Sequence, residues 1–228
     1  MARKAVALLS GGLDSAVAAA IASSEGFQIH ALTVDYGQRH LRELKSAKDI
    51  AEALGVKEHR ILRVDLTGFG GSALTDAKIK VPKTRIGEKM GADIPVTYVP
   101  ARNAILLSLG LAWAEALGAD AVFIGAHSVD YSGYPDCRPE FLDAFRRVSE
   151  LGTRRGVEGA PIKIEAPLIR MGKREIIERG RELKVPFEFT WSCYLGGKKA
   201  CGKCDSCTIR LKAFAEAGME DPIEYERE

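Results

Sequence analysis

No stretch of this 228-residue chain approaches the roughly 20 consecutive apolar residues that a membrane helix needs, so a spanning helix is excluded. An excess of one charge is also missing. Lys and Arg number 33 against 31 Asp and Glu, for a formal net charge of +2. That bias is too weak for a dedicated nucleic-acid binder. The opening Met1-Ala2-Arg3-Lys4, with a short apolar run into Gly11-Gly12, does not read as a signal peptide, and the expected address is the cytoplasm. There is no internal repeat and no low-complexity tract. Cysteine is scarce outside one place: four of the five fall between Cys193 and Cys207. In a reducing compartment such crowding argues for a metal rather than disulfides.

What is present suits one globular domain with a small appendage: 46% of residues are hydrophobic and 28% charged. Periodicity predicts strands over residues 4–9, 28–34, 58–64, 121–125 and 162–165. Helices are predicted over 14–24, 39–54, 102–117, 139–151 and 173–183. This alternation predicts an α/β fold, a doubly wound five-stranded parallel sheet covered on both faces, in the order 3-2-1-4-5. Residues 1–185 form the α/β domain and 186–228 a small helical C-terminal element. Residues 67–96 carry Gly68, Gly70, Gly71, Gly87 and Gly91 with few apolar residues in register, and read as a flap over the site.

The stretch "VALLSGGLDSAVAAAIAS" places Ser10-Gly11-Gly12 between a strand and a helix. In a doubly wound sheet, ligands sit beyond the carboxyl ends of the strands, where strand order reverses. Gly11 and Gly12 let the backbone approach a phosphate. The amides and dipole of the next helix attract the anion. Ser10 and Ser15 supply hydroxyls, and Asp14 either caps the helix or holds Mg²⁺. The lysine of the common phosphate loop is absent from this turn.

Two further loops gather polar and aromatic residues at strand ends: Val34-Asp35-Tyr36-Gly37-Gln38-Arg39-His40, and the run from Gly125 to Phe141, "GAHSVDYSGYPDCRPEF". The second suits a flat heterocycle. Tyr131 and Tyr134 offer stacking faces. Asp130, Asp136 or Glu140 can accept from a guanine-like N–H edge, and Arg138 can pair a carboxylate. Taken singly, His127 reads as structural more readily than catalytic, and Cys137 as a small buried residue.

Cys193, Cys201, Cys204 and Cys207 are spaced C-x7-C-x2-C-x2-C, with Gly202 easing the turn and a helix predicted from about Thr208. Four thiolates at tetrahedral positions fill a structural Zn²⁺ site, and a helix N-terminus favours thiolates. A [4Fe–4S] cluster is the rival, since C-x2-C-x2-C also occurs in ferredoxin-type runs.

Ser10-Gly11-Gly12-Leu13-Asp14-Ser15 resembles the PP-loop of the ATP pyrophosphatases, a family that includes asparagine, GMP and NAD synthetases. The resemblance implies that Leu8, Leu9, Ser10, Gly11, Gly12, Leu13, Asp14, Ser15, Ala16, Val17 and Ala18 line the ATP site, with Ser10, Asp14 and Ser15 catalytic. It implies attack on the α-phosphorus and departure of pyrophosphate. A lysine that follows a transferred γ-phosphoryl group is then not required.

"DYGQRH", "VPARN" and "GAHSVDYSGYPDCRPEF" resemble, over nearly the whole chain, the 7-cyano-7-deazaguanine synthase subfamily. That resemblance implies an ATP-dependent ligase acting on 7-carboxy-7-deazaguanine and ammonia through adenylated intermediates and an amide, for queuosine or archaeosine. It implies substrate contacts at Tyr36, Gln38, Arg39, Arg102, Asn103, His127, Asp130, Tyr131, Tyr134, Asp136, Arg138 and Glu140. It favours zinc over iron–sulfur at the cysteines, and a homodimer with no stable nucleic-acid or membrane partner. Covalent help from Cys137 is not required. The alternative is a PP-loop tRNA-thiolating sulfurtransferase with an iron–sulfur cluster. A non-enzymatic nucleotide sensor is a third reading.

Overall fold

The computed structural model describes residues 2–76, 78–81, 94–127 and 133–226. Asp130, Tyr131 and much of the expected flap lie outside the described residues. Five strands form the sheet: β1 (Lys4–Leu8), β2 (Gln28–Asp35), β3 (Glu58–Arg63), β4 (Ala121–Phe123) and β5 (Lys163–Glu165). All pair in parallel, in the order β3-β2-β1-β4-β5. Helices α1 (Leu13–Ser24), α2 (Arg42–Ala53), α3 (Arg102–Leu117), α4 (Pro139–Gly152), α5 (Arg154–Val157), α6 (Lys173–Glu182) and α7 (Asp205–Glu216) connect or follow the strands. The fold class and strand order are those the sequence predicts. Among the described residues no helix is long and apolar enough to cross a membrane.

Side chains of β1 alternate between two cores, as the strand period of two requires. Ala5, Ala7 and Leu9 enter one with α1, α6 and α7, whereas Val6 and Leu8 enter the other with Leu107, Leu111 and Phe145 from α3 and α4. Both faces are therefore dry, which is why β1 reads as an unbroken apolar run. Every residue of α1 from Ser15 to Ala22 is buried, and its alanines let the helix lie close to the sheet. Ala213, Phe214 and Ala217 of the C-terminal segment join this first core, while Trp191, Ala200 and the four clustered cysteines form a smaller cluster of their own.

Three differences from the periodicity exceed a shift of one or two residues at an element's end. Helix α2 starts at Arg42, not at residue 39. The backbone N–H of Arg39 donates to Leu74 O instead, and its guanidinium donates to Asp76 O and Ile79 O at 2.6 and 2.7 Å. Short α5 was not predicted; the Thr153 hydroxyl accepts from the Gly156 N–H and caps it. Helix α7 begins at Asp205, so Cys204 is its N-cap and Cys207 lies in its first turn.

The order reverses between β1 and β4, and the loops after them meet at Gly125. A Cβ there would stand 2.7 Å from Ser15 N. Gly11 is tighter still. Its φ is +88°, and a Cβ would come within 2.2 Å of the Glu43 carbonyl oxygen. Gly11→Ala is therefore expected to cost about 2 kcal/mol or more through strain and overlap, lowering the melting temperature by roughly 5 °C. Thermal denaturation checks this; an unchanged transition would show that the first loop tolerates displacement.

Candidate active site and cysteine centre

A cleft of about 250 Å³ opens where β1, β2 and β4 end. Its floor is the first loop. The Ser15 hydroxyl donates to Gly12 O at 2.9 Å and accepts from Ser10 N at 3.2 Å, and the two serine hydroxyls lie 3.1 Å apart. These bonds fix the curl of the loop. Gly12 is the N-cap of α1 and offers no side-chain hydrogen bond. The first-turn N–H groups of α1 are thus left without a side-chain cap beside the cleft, the usual arrangement for holding an anion.

Asp14 does not cap the helix. Lys173, the first residue of α6, donates to both of its carboxylate oxygens at 2.6 and 2.5 Å, and His127 Nε2 stands 3.8 Å away. Burial pushes the Asp14 carboxyl up, but Lys173 and His127 outweigh it and hold the group below its ordinary range. The cation missing from the loop's own sequence thus arrives from across the fold, 159 residues on.

Opposite the loop stand Tyr36, Gln38, Arg102, Asn103 and Tyr134. Arg102 donates to Tyr36 Oη at 3.3 Å and lies 5.6 Å from the centre of that ring. Burial works against the guanidinium charge, yet the phenols of Tyr36 and Tyr134 raise its pKa above the ordinary value. Ala101, just before Arg102, takes a left-handed conformation (φ 52°) that is unusual without glycine. The turn is held from the fourth loop: Asn103 N donates to Asp136 Oδ2 at 2.9 Å, and Asn103 Nδ2 to Asp136 O at 3.0 Å and to Cys137 Sγ at 3.2 Å. Burial, with Asp136 adding to it, pushes the Cys137 thiol up to about 11, so the sulfur rests protonated.

Of the residues expected at the nucleotide site, Leu8, Leu9, Ser10, Gly12, Asp14 and Ser15 line the cleft. Gly11 sits behind it against Glu43, and Leu13, Ala16, Val17 and Ala18 are packed in the core. Of those expected at the substrate site, Tyr36, Gln38, Arg102, Asn103, His127 and Tyr134 line it. Four do not. Arg39 is exposed and ties down residues 76 and 79. Asp136 is buried as a cap on the first turn of α3. Arg138 bonds Pro135 O, and Glu140 is exposed on α4. The geometry adds Lys173, Glu43 and Tyr194, which the sequence reading passed over. Lys173 carries a usable signal, since it opens the helix after β5 and so lies near the strand ends. Glu43 and Tyr194 carry none beyond their nearness to Arg39-His40 and Cys193.

The Sγ atoms of Cys193, Cys201, Cys204 and Cys207 all lie within 4.8 Å of one another. Cys201 and Cys207 are 3.9 Å apart, close to the ~3.8 Å edge of a tetrahedron with 2.3 Å metal–sulfur bonds. The thiols of Cys204 and Cys207, then the N–H groups of Cys201 and Leu195, pull the Cys193 thiol well below its ordinary range. This centre is wired to the cleft. Trp191 N donates to Gly11 O at 2.9 Å, Arg42 lies over the Trp191 ring, and His40 Nε2 bonds the Tyr194 carbonyl. Behind it, buried Arg210 joins Asp221 at 2.7 and 2.9 Å and Thr190 at 2.8 Å, locking α7 to the segment that carries Trp191.

This sequence has close relatives. The chain is 57% identical over 226 residues to the 7-cyano-7-deazaguanine synthase of Anaeromyxobacter dehalogenans (strain 2CP-C), covering 98% of this chain and 96% of the relative. It is 56% identical over 220 residues to the protein of the same name from Trichodesmium erythraeum (strain IMS101), covering 96% and 99%. The protein of that name from Nostoc punctiforme (strain ATCC 29133 / PCC 73102) is 54% identical over 222 residues, covering 97% and 99%. The family described as queuosine biosynthesis protein QueC matches residues 4–218, nearly the whole fold and all four clustered cysteines, and the chain belongs to it.

Proposed function

We propose that this cleft converts 7-carboxy-7-deazaguanine and ammonia to 7-cyano-7-deazaguanine at the cost of two ATP, in queuosine precursor biosynthesis. The observation that carries the reading is the juxtaposition at the switch point. An anion-holding loop with the Asp14–Lys173 pair faces an aromatic and cationic wall built from Tyr36, Arg102 and Tyr134. Full-length relatives named 7-cyano-7-deazaguanine synthase support it.

The chemistry follows from the residues. The first-turn amides of α1, from Leu13 to Ser15, with Lys173, hold the β,γ-diphosphate as it leaves. Asp14 is the carboxylate that would hold the Mg²⁺ accompanying ATP. A substrate carboxylate oxygen attacks the α-phosphorus, the bond to pyrophosphate breaks, and an acyl adenylate forms. Ammonia replaces AMP to give the amide. The amide oxygen attacks a second ATP in the same place, and loss of AMP leaves the nitrile. Tyr36 and Tyr134 offer faces for the bicyclic base, and Arg102 is the cation for its carboxylate. Cys137, a resting thiol bonded to Asn103, is left to structure.

The donor set at the cysteine centre fits Zn²⁺: four buried thiols close around one point, with N–H donors to sulfur. Four irons each bound outward to one cysteine would spread the sulfurs farther apart, which disfavours the thiolating alternative. Cys193, Cys201, Cys204 and Cys207 would hold the ion, which supplies a structural cross-link with no open position. A homodimer in the cytoplasm belongs to the same proposal.

Incubation with the carboxy-deazaguanine, ATP, Mg²⁺ and ammonium is expected to give the nitrile with AMP and pyrophosphate by mass spectrometry; ADP, or no nitrile, would contradict the reading. Asp14→Asn is expected to lower turnover by a factor of about 10² or more and, because Lys173 is left uncompensated, to lower the melting temperature as well. Activity near that of the wild type would reduce Asp14 to a structural partner of Lys173. Metal analysis is expected to find one zinc per chain. Chelation is expected to lower the melting temperature and activity together, because Trp191 and Tyr194 lose their anchor; a chelated protein with an unchanged transition would rule out a structural ion.

A further inference from the structure

Making a nitrile from ammonia strips every proton from one nitrogen, so the site needs a proton acceptor where the acyl carbon lies. Among the described residues two carboxylates line the cleft, Asp14 and Glu43. Asp14 is gripped by Lys173. The side chain of Glu43, half-buried in the first turn of α2, has no hydrogen bond or ion pair among the described residues. Its carbonyl is pressed against Gly11, and its side chain lines the cleft on the side of Tyr36 and Arg102. It thus stands at the junction of the phosphate loop and the aromatic wall, where an acyl carbon bonded to AMP has to lie. We propose that Glu43 is the general base of this site, taking the protons released from the substrate nitrogen.

This deepens the function proposed above and rests on it. When ammonia has added to the acyl adenylate, an N–H bond breaks. Its electron pair stays on nitrogen, the proton goes to a Glu43 oxygen, and the C–O bond to AMP breaks with its pair leaving on AMP. On the O-adenylated amide, one N–H proton is lost to give the neutral imidate. The last N–H proton then leaves, its pair remaining on nitrogen as the third C–N bond forms and AMP departs with the C–O pair. No oxidant or reductant enters. Glu43 accepts one proton at a time and returns it to water.

The other titratable groups that line the cleft among the described residues are poorly suited. Asp14 is held too acidic, and the Cys137 thiol, at about 11, rests protonated. Burial raises the Tyr36 and Tyr194 phenols, Arg102 is a fixed cation, and His127 turns its Nε2 toward Asp14, 3.8 Å away on the phosphate-loop side. Burial pushes Glu43 up to about 7, against the pull of Arg102, the charged group that faces it. Two carboxylates whose surroundings drive them apart are a recurring mark of divided acid–base roles.

Glu43→Gln separates this role from binding. Without ammonia, carboxylate-dependent exchange of labelled pyrophosphate into ATP reports the first activation. Single-turnover conversion of the synthetic amide to the nitrile reports proton removal with no ammonia present to titrate. The variant is expected to keep the exchange within about threefold and to lose 10²- to 10⁴-fold in the amide reaction. A base acts when deprotonated, so the wild-type amide rate is expected to rise with pH through about 7 and the variant's to lose that rise. Amide conversion within threefold of wild type, or exchange that falls in step with it, overturns the assignment. If wild-type enzyme showed neither exchange nor nitrile, the proposed function would fall and take this inference with it. If Glu43→Gln does not fold, Glu43→Asp is used: a slower reaction that keeps the pH rise supports the base, and a flat profile overturns it.

Discussion

Backbone pressed on backbone at Gly11 is the constraint from which the rest of the site follows. The carbonyl of Glu43 occupies the space of a side chain there, and the N–H of Trp191 takes the glycine's own carbonyl. The first loop is thereby pinned between α2 and the segment leading into the cysteine centre. Its amides are fixed before any ligand arrives, which is what makes a backbone anion site effective. Replacement of that glycine disturbs α2, and with it the wall that carries Glu43. Loss of the cysteine centre releases the loop from the other side.

Charge is distributed with the same economy. A loop that lacks its own lysine is served by Lys173 from the start of α6, and the resting ion pair with Asp14 keeps both side chains in place. Such a pair is partly desolvated on both sides, and removing one partner leaves the other uncompensated. Arg102 works differently. It rests against the Tyr36 ring, and the strained Ala101 before it and the Asp136 cap behind it set its direction. The fourth loop therefore supports the site through Asp136 as well as lining it through His127 and Tyr134.

The sheet was legible because β1 and β2 are buried on both faces and the strands alternate along the chain with helix-length segments. The first loop was legible because glycine, serine and an acidic residue at a strand–helix junction have few other uses. The cysteine centre showed in spacing alone. What could not be read was partnership across the chain. Nothing in the run Gly172-Lys173-Arg174 says that the lysine reaches Asp14, and nothing in Arg42-Glu43-Leu44 says that the acid turns inward rather than to solvent. Conversely Arg39, Arg138 and Glu140 look chemical in sequence but spend their side chains on loop carbonyls or water. Asp136 was expected at the base edge and is found capping α3, because a buried carboxylate meets the nearest unpaired N–H first.

The central claim is that substrate oxygen attacks the α-phosphorus while the first loop holds the pyrophosphate. Following the isotope from substrate labelled with ¹⁸O in both carboxylate oxygens tests it most directly. The account predicts that each label ends in a molecule of AMP, one from acyl activation and one from amide activation, with none in pyrophosphate or water. Unlabelled AMP, or label in pyrophosphate or inorganic phosphate, would contradict it.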